Sequence, residues 1–426
     1  MGQNPEVPST PLTDPIRVGN QYPATITTVA AEGVSQRLVF DPSMKHHDVA
    51  LRASDPQFAE AGQGERWYAA RRAAMAAALA AVAGSEFVDA LVLRGSILLK
   101  TWFGDAAREP GDLDFVVDAA GWTLPDPRTE RLFDEIASGA EEAARGGGVV
   151  KIHASAALSD EIWTYDRVPG RRLVLPWSAE GCPDGSIQLD FVFGEKLPAP
   201  PEPVEIAADG GTPAVVLAAT RELSLAWKLL WLVSDAYPQG KDLYDAVLLA
   251  ESTPLSFELL RDAFCADGGE YVGRPVTMRS IRSEIEDIDW SGFELDYPDF
   301  DVDDNDMRQR LLTAIEPTFL VAGVLPSEYQ QRVRWLAPLI ERCRLARSGG
   351  GPEKVHKVLL RNNARFGTAI IVTRELDESK SLTVEEAAQE ALASSAWQGW
   401  IHGILLRNPQ MVTKDIEDVR AAELNS

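Results

Sequence analysis

The chain has three cysteines, Cys182, Cys265 and Cys343, odd in number and far apart, so no disulfide scaffold or paired-cysteine zinc site is indicated. That usage points to a reducing cytosol. Long hydrophobic runs are missing too. The opening "MGQNPEVPSTPLTDP" has no charged leader region followed by an apolar one, and no later stretch is long enough to span a bilayer. The expectation is a cytoplasmic protein with no membrane partner. Positive charge is scarce: 41 Lys and Arg against 65 Asp and Glu leave a formal net charge of −24, which excludes a surface that clamps nucleic acid on all sides. Internal repeats are absent.

What is present is segregated. Glu284 to Asp306 carries eleven acidic residues and no basic one, whereas Arg332 to Arg374 carries ten basic residues against two acidic. With 426 residues, 45% of them apolar, two domains are the default. Residues 1–60, rich in Pro, Gly, Ser and Thr, read as an extension draped on the core. Residues 61–265 read as mixed α/β: an alanine-rich helix at Arg66 to Gly84, a strand at "ALVLRG", a helix from Ser96 to Phe103 and a strand at "LDFVVD". A helix near Glu130 to Ala144 follows, then three strands at "VVKIHASAAL", "RRLVLPW" and "SIQLDFVFG". After "KLPAPPEPV" the periods turn helical, and 266–426 reads as a mostly helical C-terminal domain with an acidic loop at 284–306. The fold class is α/β (α+β), with a mixed sheet.

Chemistry concentrates in "LVLRGSILLKTWFGDAAREPGDLDFVVD", Leu91 to Asp118. Gly95-Ser96 ends a strand and opens a helix, a place where glycine lets a ligand approach the backbone and unpaired amides favour phosphate. Asp112 and Asp114 share one face of the next strand. Two such carboxylates repel unless a cation sits between them, and magnesium takes one or two carboxylates plus substrate phosphates. Taken alone, an Asp-x-Asp is more often a surface turn. Asp190, a lone carboxylate in the apolar strand "SIQLDFVFG", is costly to bury unless paired or metal-bound, or else it faces out from an edge. Lys228 is the one charge in "LSLAWKLLWLV", where it either snorkels to water or serves a site. Asp242 and Asp245 follow near a helix start, a position that the helix dipole also favours.

Gly95-Ser96, Arg108, Asp112-Leu113-Asp114, Asp190, Glu222, Lys228 and "KDLYD" at Lys241 to Asp245 stand in the order and approximate spacing of the AbiEii/AbiGii-type nucleotidyltransferase toxins. From about Trp67 to Glu251 the chain resembles that family, part of the DNA polymerase beta-like nucleotidyltransferase superfamily. The resemblance implies a nucleotidyltransferase fold, magnesium or manganese in its place, a nucleoside triphosphate, a cognate antitoxin, and nucleotide addition to RNA, notably the 3′ end of tRNA. On this reading Asp112, Asp114 and Asp190 hold the metal, with Asp190 alternatively a base, while Gly95 and Ser96 cradle phosphates. Lys228 and Arg108 neutralise triphosphate charge, and Asp242 orients Lys228 or a metal-bound water. Two positions depart from the pattern: Pro110 where such toxins often carry Ser or Thr, and Ser234-Asp235 where an arginine is common.

For an RNA acceptor, Lys354, Lys357, Arg361 and Arg365 recur at three or four along one helix face. Such a strip could track a phosphate backbone or pair with the acidic segment 284–306. A small-molecule or protein acceptor, and a binding protein without turnover, are the rival classes.

Overall fold

The computed structural model describes residues 19, 21–164, 168–208, 213–235, 238–266, 269–377, 379, 381–395, 403 and 407–424. The chain forms two compact units, Met1–Ser224 with Ser291–Phe300, and Leu225–Trp290 with Asp301–Ser426.

In the first unit, two short antiparallel ribbons precede the main sheet: β1 (Val34–Ser35) pairs with β4 (Gln57–Phe58), and β2 (Leu38–Phe40) with β3 (Leu51–Ala53). Helix α1 (Ala61–Gly84) follows. Its Ala70, Ala74, Ala78 and Ala81 are buried, and this small-residue face packs on α3 (Pro127–Gly147). A Cβ added at Gly139 of α3 would lie 3.1 Å from that of Ala81, so the helices approach on alanine and glycine. Asp126 caps α3 by accepting from the Arg128 amide, and Pro127 starts it.

Between these helices run β5 (Leu91–Arg94), α2 (Ser96–Phe103) and β6 (Asp112–Val117). Then come β7 (Lys151–Ile152), β8 (Leu158–Thr164), β9 (Val168–Ser178), β10 (Gly185–Phe193), β11 (Glu202–Ile206) and β12 (Ala214–Ala218). The mixed eight-stranded sheet has the order β11-β12-β5-β6-β10-β9-β7, with β8 also on β9. β12 with β5 and β6 with β10 are the parallel pairs. Phe115 of β6 and Phe191 of β10 stack at 5.2 Å beneath it.

Some elements differ from the sequence reading. "VVKIHASAAL" keeps strand at Lys151–Ile152, then turns through a short 3-10 segment at Ala154–Ala156, because a run of alanines has no branched side chain to pack on a sheet. β11 and β12 lie where the sequence reading starts its helical periods. Pro203 sits on β11, at the sheet edge where proline costs no ladder bond, and a short apolar run like "AVVLA" does not by itself separate strand from helix.

Helix α4 (Arg221–Ser234) begins in the first unit and continues into the second. There follow α5 (Gly240–Ser252), α6 (Phe257–Ala266) and α7 (Met278–Glu286), and in the first unit α8 (Ser291–Asp296). α9 (Asp304–Phe319), α10 (Glu328–Gly350), α11 (Pro352–Arg361), α12 (Phe366–Glu375), α13 (Val384–Ala393) and α14 (Pro409–Leu424) complete the second. Its core gathers Trp335 edge-on to Phe257 and Phe264, with the indole Nε1 donating to the Tyr271 carbonyl at 2.8 Å. The acidic segment is not a simple loop: it includes α8 and opens α9, which Asp303 caps through the Asp306 amide. Acidic residues suit a helix start. Among the described residues no helix is long and apolar enough to cross a membrane.

Candidate active site

Gly95, at the end of β5, has φ 88° and ψ −161°, a backbone state that is essentially glycine's own. A Cβ there would stand 2.4 Å from Oδ2 of Asp114. Glycine is therefore needed twice, for its backbone and for the carboxylate pressed against it. Ser96, first residue of α2, is buried, and its Oγ has no hydrogen-bond partner among the described residues. A buried hydroxyl without a partner is costly in a finished protein, and here it sits at a helix N-terminus beside a carboxylate.

Strand register then builds a charged row. Arg94 of β5 lies opposite Asp114 of β6, Asp114 beside Asp190 of β10, Asp190 opposite Arg172 of β9, and Arg172 opposite Asp160 of β8. Residues paired this way point to the same sheet face. Asp112 is on that face two residues from Asp114, beside Gln188. Both row ends are partnered, one by an opposite charge and the other by neutral donors. Nη1 of Arg94 donates to both oxygens of buried Glu195 at 2.8 and 2.7 Å, and Asp160 accepts from the amide and hydroxyl of Thr25.

Asp190 is chelated. Nε and Nη2 of Arg172 donate to its Oδ1 and Oδ2, both at 2.9 Å, and Gln188 donates to Oδ2 at 3.1 Å. Arg172 also donates from Nη1 to Asp41 at 2.8 Å and from Nη2 to the Ser43 hydroxyl at 2.9 Å. Two carboxylates thus share one guanidinium. Burial works against the Asp41 anion, but Arg172, Arg52 and the Ser43 hydroxyl hold its carboxyl below the usual range. Burial pushes the Asp190 carboxyl up, Arg172 pulls it down, and Asp112 and Asp41 add to the rise. Of the two carboxyls that share Arg172, Asp41 is held below the usual range and Asp190 is raised above it.

Among the described residues no group of three or more His, Cys, Asp or Glu side chains is arranged to hold a metal ion. Asp112 and Asp114 remain as two half-buried carboxylates on one strand face, beside the Gly95 cradle and the Ser96 hydroxyl. That donor set fits magnesium, which accepts few protein oxygens and keeps places for phosphate and water. Arg108, by contrast, is buried, donating to the Tyr297 hydroxyl at 3.3 Å with its guanidinium 5.8 Å from that ring centre.

A family model for the nucleotidyl transferase AbiEii toxin of type IV toxin-antitoxin systems matches residues 77–319, more than half of the chain. The protein belongs to the AbiEii family. Family membership makes it a nucleotidyltransferase toxin, with a nucleoside triphosphate as substrate and an antitoxin as partner. Among solved structures, MenT4, a nucleotidyltransferase toxin from Mycobacterium tuberculosis H37Rv, is similar at 20% identity and a TM-score of 0.42, covering 71% of this chain and 96% of that one. No curated protein matches.

In this AbiEii toxin the second unit holds the remaining residues singled out in the sequence. Lys228 is buried, its side chain 5% exposed, with Nζ 2.7 Å from Asp242 and 2.9 Å from Asp245. Nζ also lies 4.8 Å from the Trp231 ring centre. It does not snorkel, and the two aspartates at i and i+3 serve it. Trp227 is core. Lys354, Lys357 and Arg361 are exposed on α11 while Val355, His356 and Leu359 are buried, and Arg365, exposed, precedes α12. None of the four forms an ion pair among the described residues. The acidic segment pairs elsewhere: Asp296 with Arg37, Asp304 with Arg308, and Asp306 with Arg310.

Arg94, Glu195, Arg172, Asp41 and Ser43 escaped the sequence reading. Alternation along "RRLVLPW" does not say whether Arg171 or Arg172 turns inward, and nothing local connects Asp41 to a residue 131 positions away.

Proposed function

We propose that this toxin moves a nucleoside monophosphate from a nucleoside triphosphate to an RNA hydroxyl, at the 3′ end of tRNA, in a reaction that depends on magnesium or manganese. Asp112 and Asp114 hold the ion, whose charge stabilises the attacking and leaving oxygens when it is bound. The Gly95 backbone and the Ser96 hydroxyl receive phosphate oxygens. Asp190 stands beside Asp114 as base: the acceptor O–H gives its proton to Asp190, the acceptor oxygen bonds the α-phosphorus, and pyrophosphate leaves with its bonding pair. Lys228 and Arg108 are assigned the triphosphate charge from the family resemblance, with Asp242 holding Lys228.

The observation that carries this reading is the close approach of Gly95 to Asp114, with an unpartnered Ser96 hydroxyl at the helix start beside the carboxylate pair. The unpaired face of Lys357 and Arg361 supports RNA over a small molecule, since a phosphate backbone needs positive charge on an otherwise acidic protein. The test is incubation with each labelled nucleoside triphosphate, magnesium and total RNA. Label should enter RNA of tRNA size and be absent with Asp112→Asn. Label entering a protein or a small molecule instead would replace the acceptor.

A further inference from the structure

The described part of the N-terminal segment forms its own two short ribbons and is tied to the main sheet by side-chain contacts. Thr27 and Ser186 share a hydrogen bond of 2.6 Å, His47 meets the Glu161 carbonyl at 2.7 Å, and Met44 is fully buried. Asp41 caps the short 3-10 turn Pro42–Met44, with one oxygen taking the Ser43 amide and hydroxyl. Its other oxygen takes Arg172. Asp41, Ser43 and Arg172 therefore close a ring of hydrogen bonds whose free side grips Asp190.

A carboxylate oxygen accepts two hydrogen bonds. Oδ2 of Asp190 has both, from Arg172 and Gln188, whereas Oδ1 has one. The bidentate grip fixes the plane of the carboxylate, and the one open lone pair lies on Oδ1. We propose that Asp41 and Ser43 are positioning residues of the reaction: through Arg172 they hold Asp190 in the single orientation that presents Oδ1 to the acceptor hydroxyl. Residues near the N-terminus thereby become part of the catalytic centre. This rests on Asp190 acting as base in nucleotidyl transfer, and it gives the N-terminal segment a role beyond folding. Preorganisation of this kind changes the chemical step while leaving ground-state binding alone.

The experiment measures kcat, KM for the nucleoside triphosphate and thermal unfolding for Ser43→Ala, Asp41→Asn and Asp41→Glu in the full chain. Asp41→Asn should lower kcat by about tenfold or more with KM changed by less than about threefold, and Asp41→Glu should recover part of the loss. Ser43→Ala, which deletes one hydroxyl and is expected to fold, should lower kcat in the same direction by a smaller factor. Adding Asp41→Asn to Asp190→Asn should cost nothing more in kcat, because the brace acts through Asp190. Folded variants with wild-type kcat, or multiplicative losses in the double variant, would overturn the proposal. An inactive wild type under the RNA assay would instead count against the acceptor, and pyrophosphate release with water attacking the α-phosphorus in place of the acceptor hydroxyl then serves as the kcat readout for the same set.

Discussion

A Cβ placed on Gly95 would stand 2.4 Å from Oδ2 of Asp114, so the turn and the carboxylate occupy one space and neither can change alone. Gly95→Ala must either push Asp114 off its rotamer or shift the β5–α2 turn. Its φ of 88° adds strain of about 1–3 kcal/mol. The expected result is a folded protein with a lower unfolding temperature and transfer reduced by about a hundredfold, read by unfolding scans and single-turnover kinetics. Near wild-type transfer would show that Asp114 is free to move.

Lys228→Ala should cost stability as well as activity. It leaves Asp242 and Asp245, the latter fully buried, without the ammonium that they share, a loss of about 3–5 kcal/mol for a broken buried pair. The sequence left open a lysine that snorkels to water. The 5% exposure of its side chain points the other way. Urea unfolding of Lys228→Ala and of the triple variant Lys228→Met, Asp242→Asn, Asp245→Asn checks this, and the triple variant should recover stability without activity.

Asp112→Asn and Asp114→Asn each remove one of two like charges on the same strand face. Without divalent ions these variants should be as stable as the wild type or slightly more so. Magnesium should raise the unfolding temperature of the wild type and leave both variants unmoved, since an ion stabilises the state that binds it. Scanning calorimetry with and without chelator measures it, and an equal magnesium response in all three would move the ion elsewhere.

Acid should unfold the wild type more readily than Asp41→Asn, relative to each at neutral pH. The folded protein holds the Asp41 carboxyl below its ordinary 3.8, so its contribution is present above pH about 4 and is lost as pH falls below that value. Asn cannot titrate, and the acid limb of stability against pH should flatten. Unfolding midpoints between about pH 5 and pH 2 read the difference, and parallel curves would contradict it.

Reversing Lys357 and Arg361 to Glu should weaken RNA binding and flatten its salt dependence, by about 0.7 in the log–log slope for each single-strand phosphate that the protein no longer neutralises. Triphosphate binding should not change. Filter binding across a salt series gives the slope, and an unaltered slope would take α11 out of the interface.

Local pattern determined a good deal. The strand, glycine turn, helix and Asp-x-Asp strand from Leu91 to Val117 follow from period-two and period-3.6 alternation around Gly95, which act over a few residues and so are visible in a few residues. Lys354, Lys357 and Arg361 fall on one helix as their spacing read, whereas Arg365 lies beyond its end as the N-cap of α12, because the chain turns at Asn362 to Ala364. Tertiary structure decided what those residues meet. Whether Asp190 would be a free ligand or a chelated carboxylate depended on β9 lying next to β10 in one register, which turns Arg172 onto it. Asp41 entered the centre only because the N-terminal segment folds back on that sheet. Lys228 became a buried ion pair because α5 brings Asp242 and Asp245 to it. Burial, register and charge neutralisation are properties of neighbours distant in sequence, and these neighbours exist only once the chain has folded.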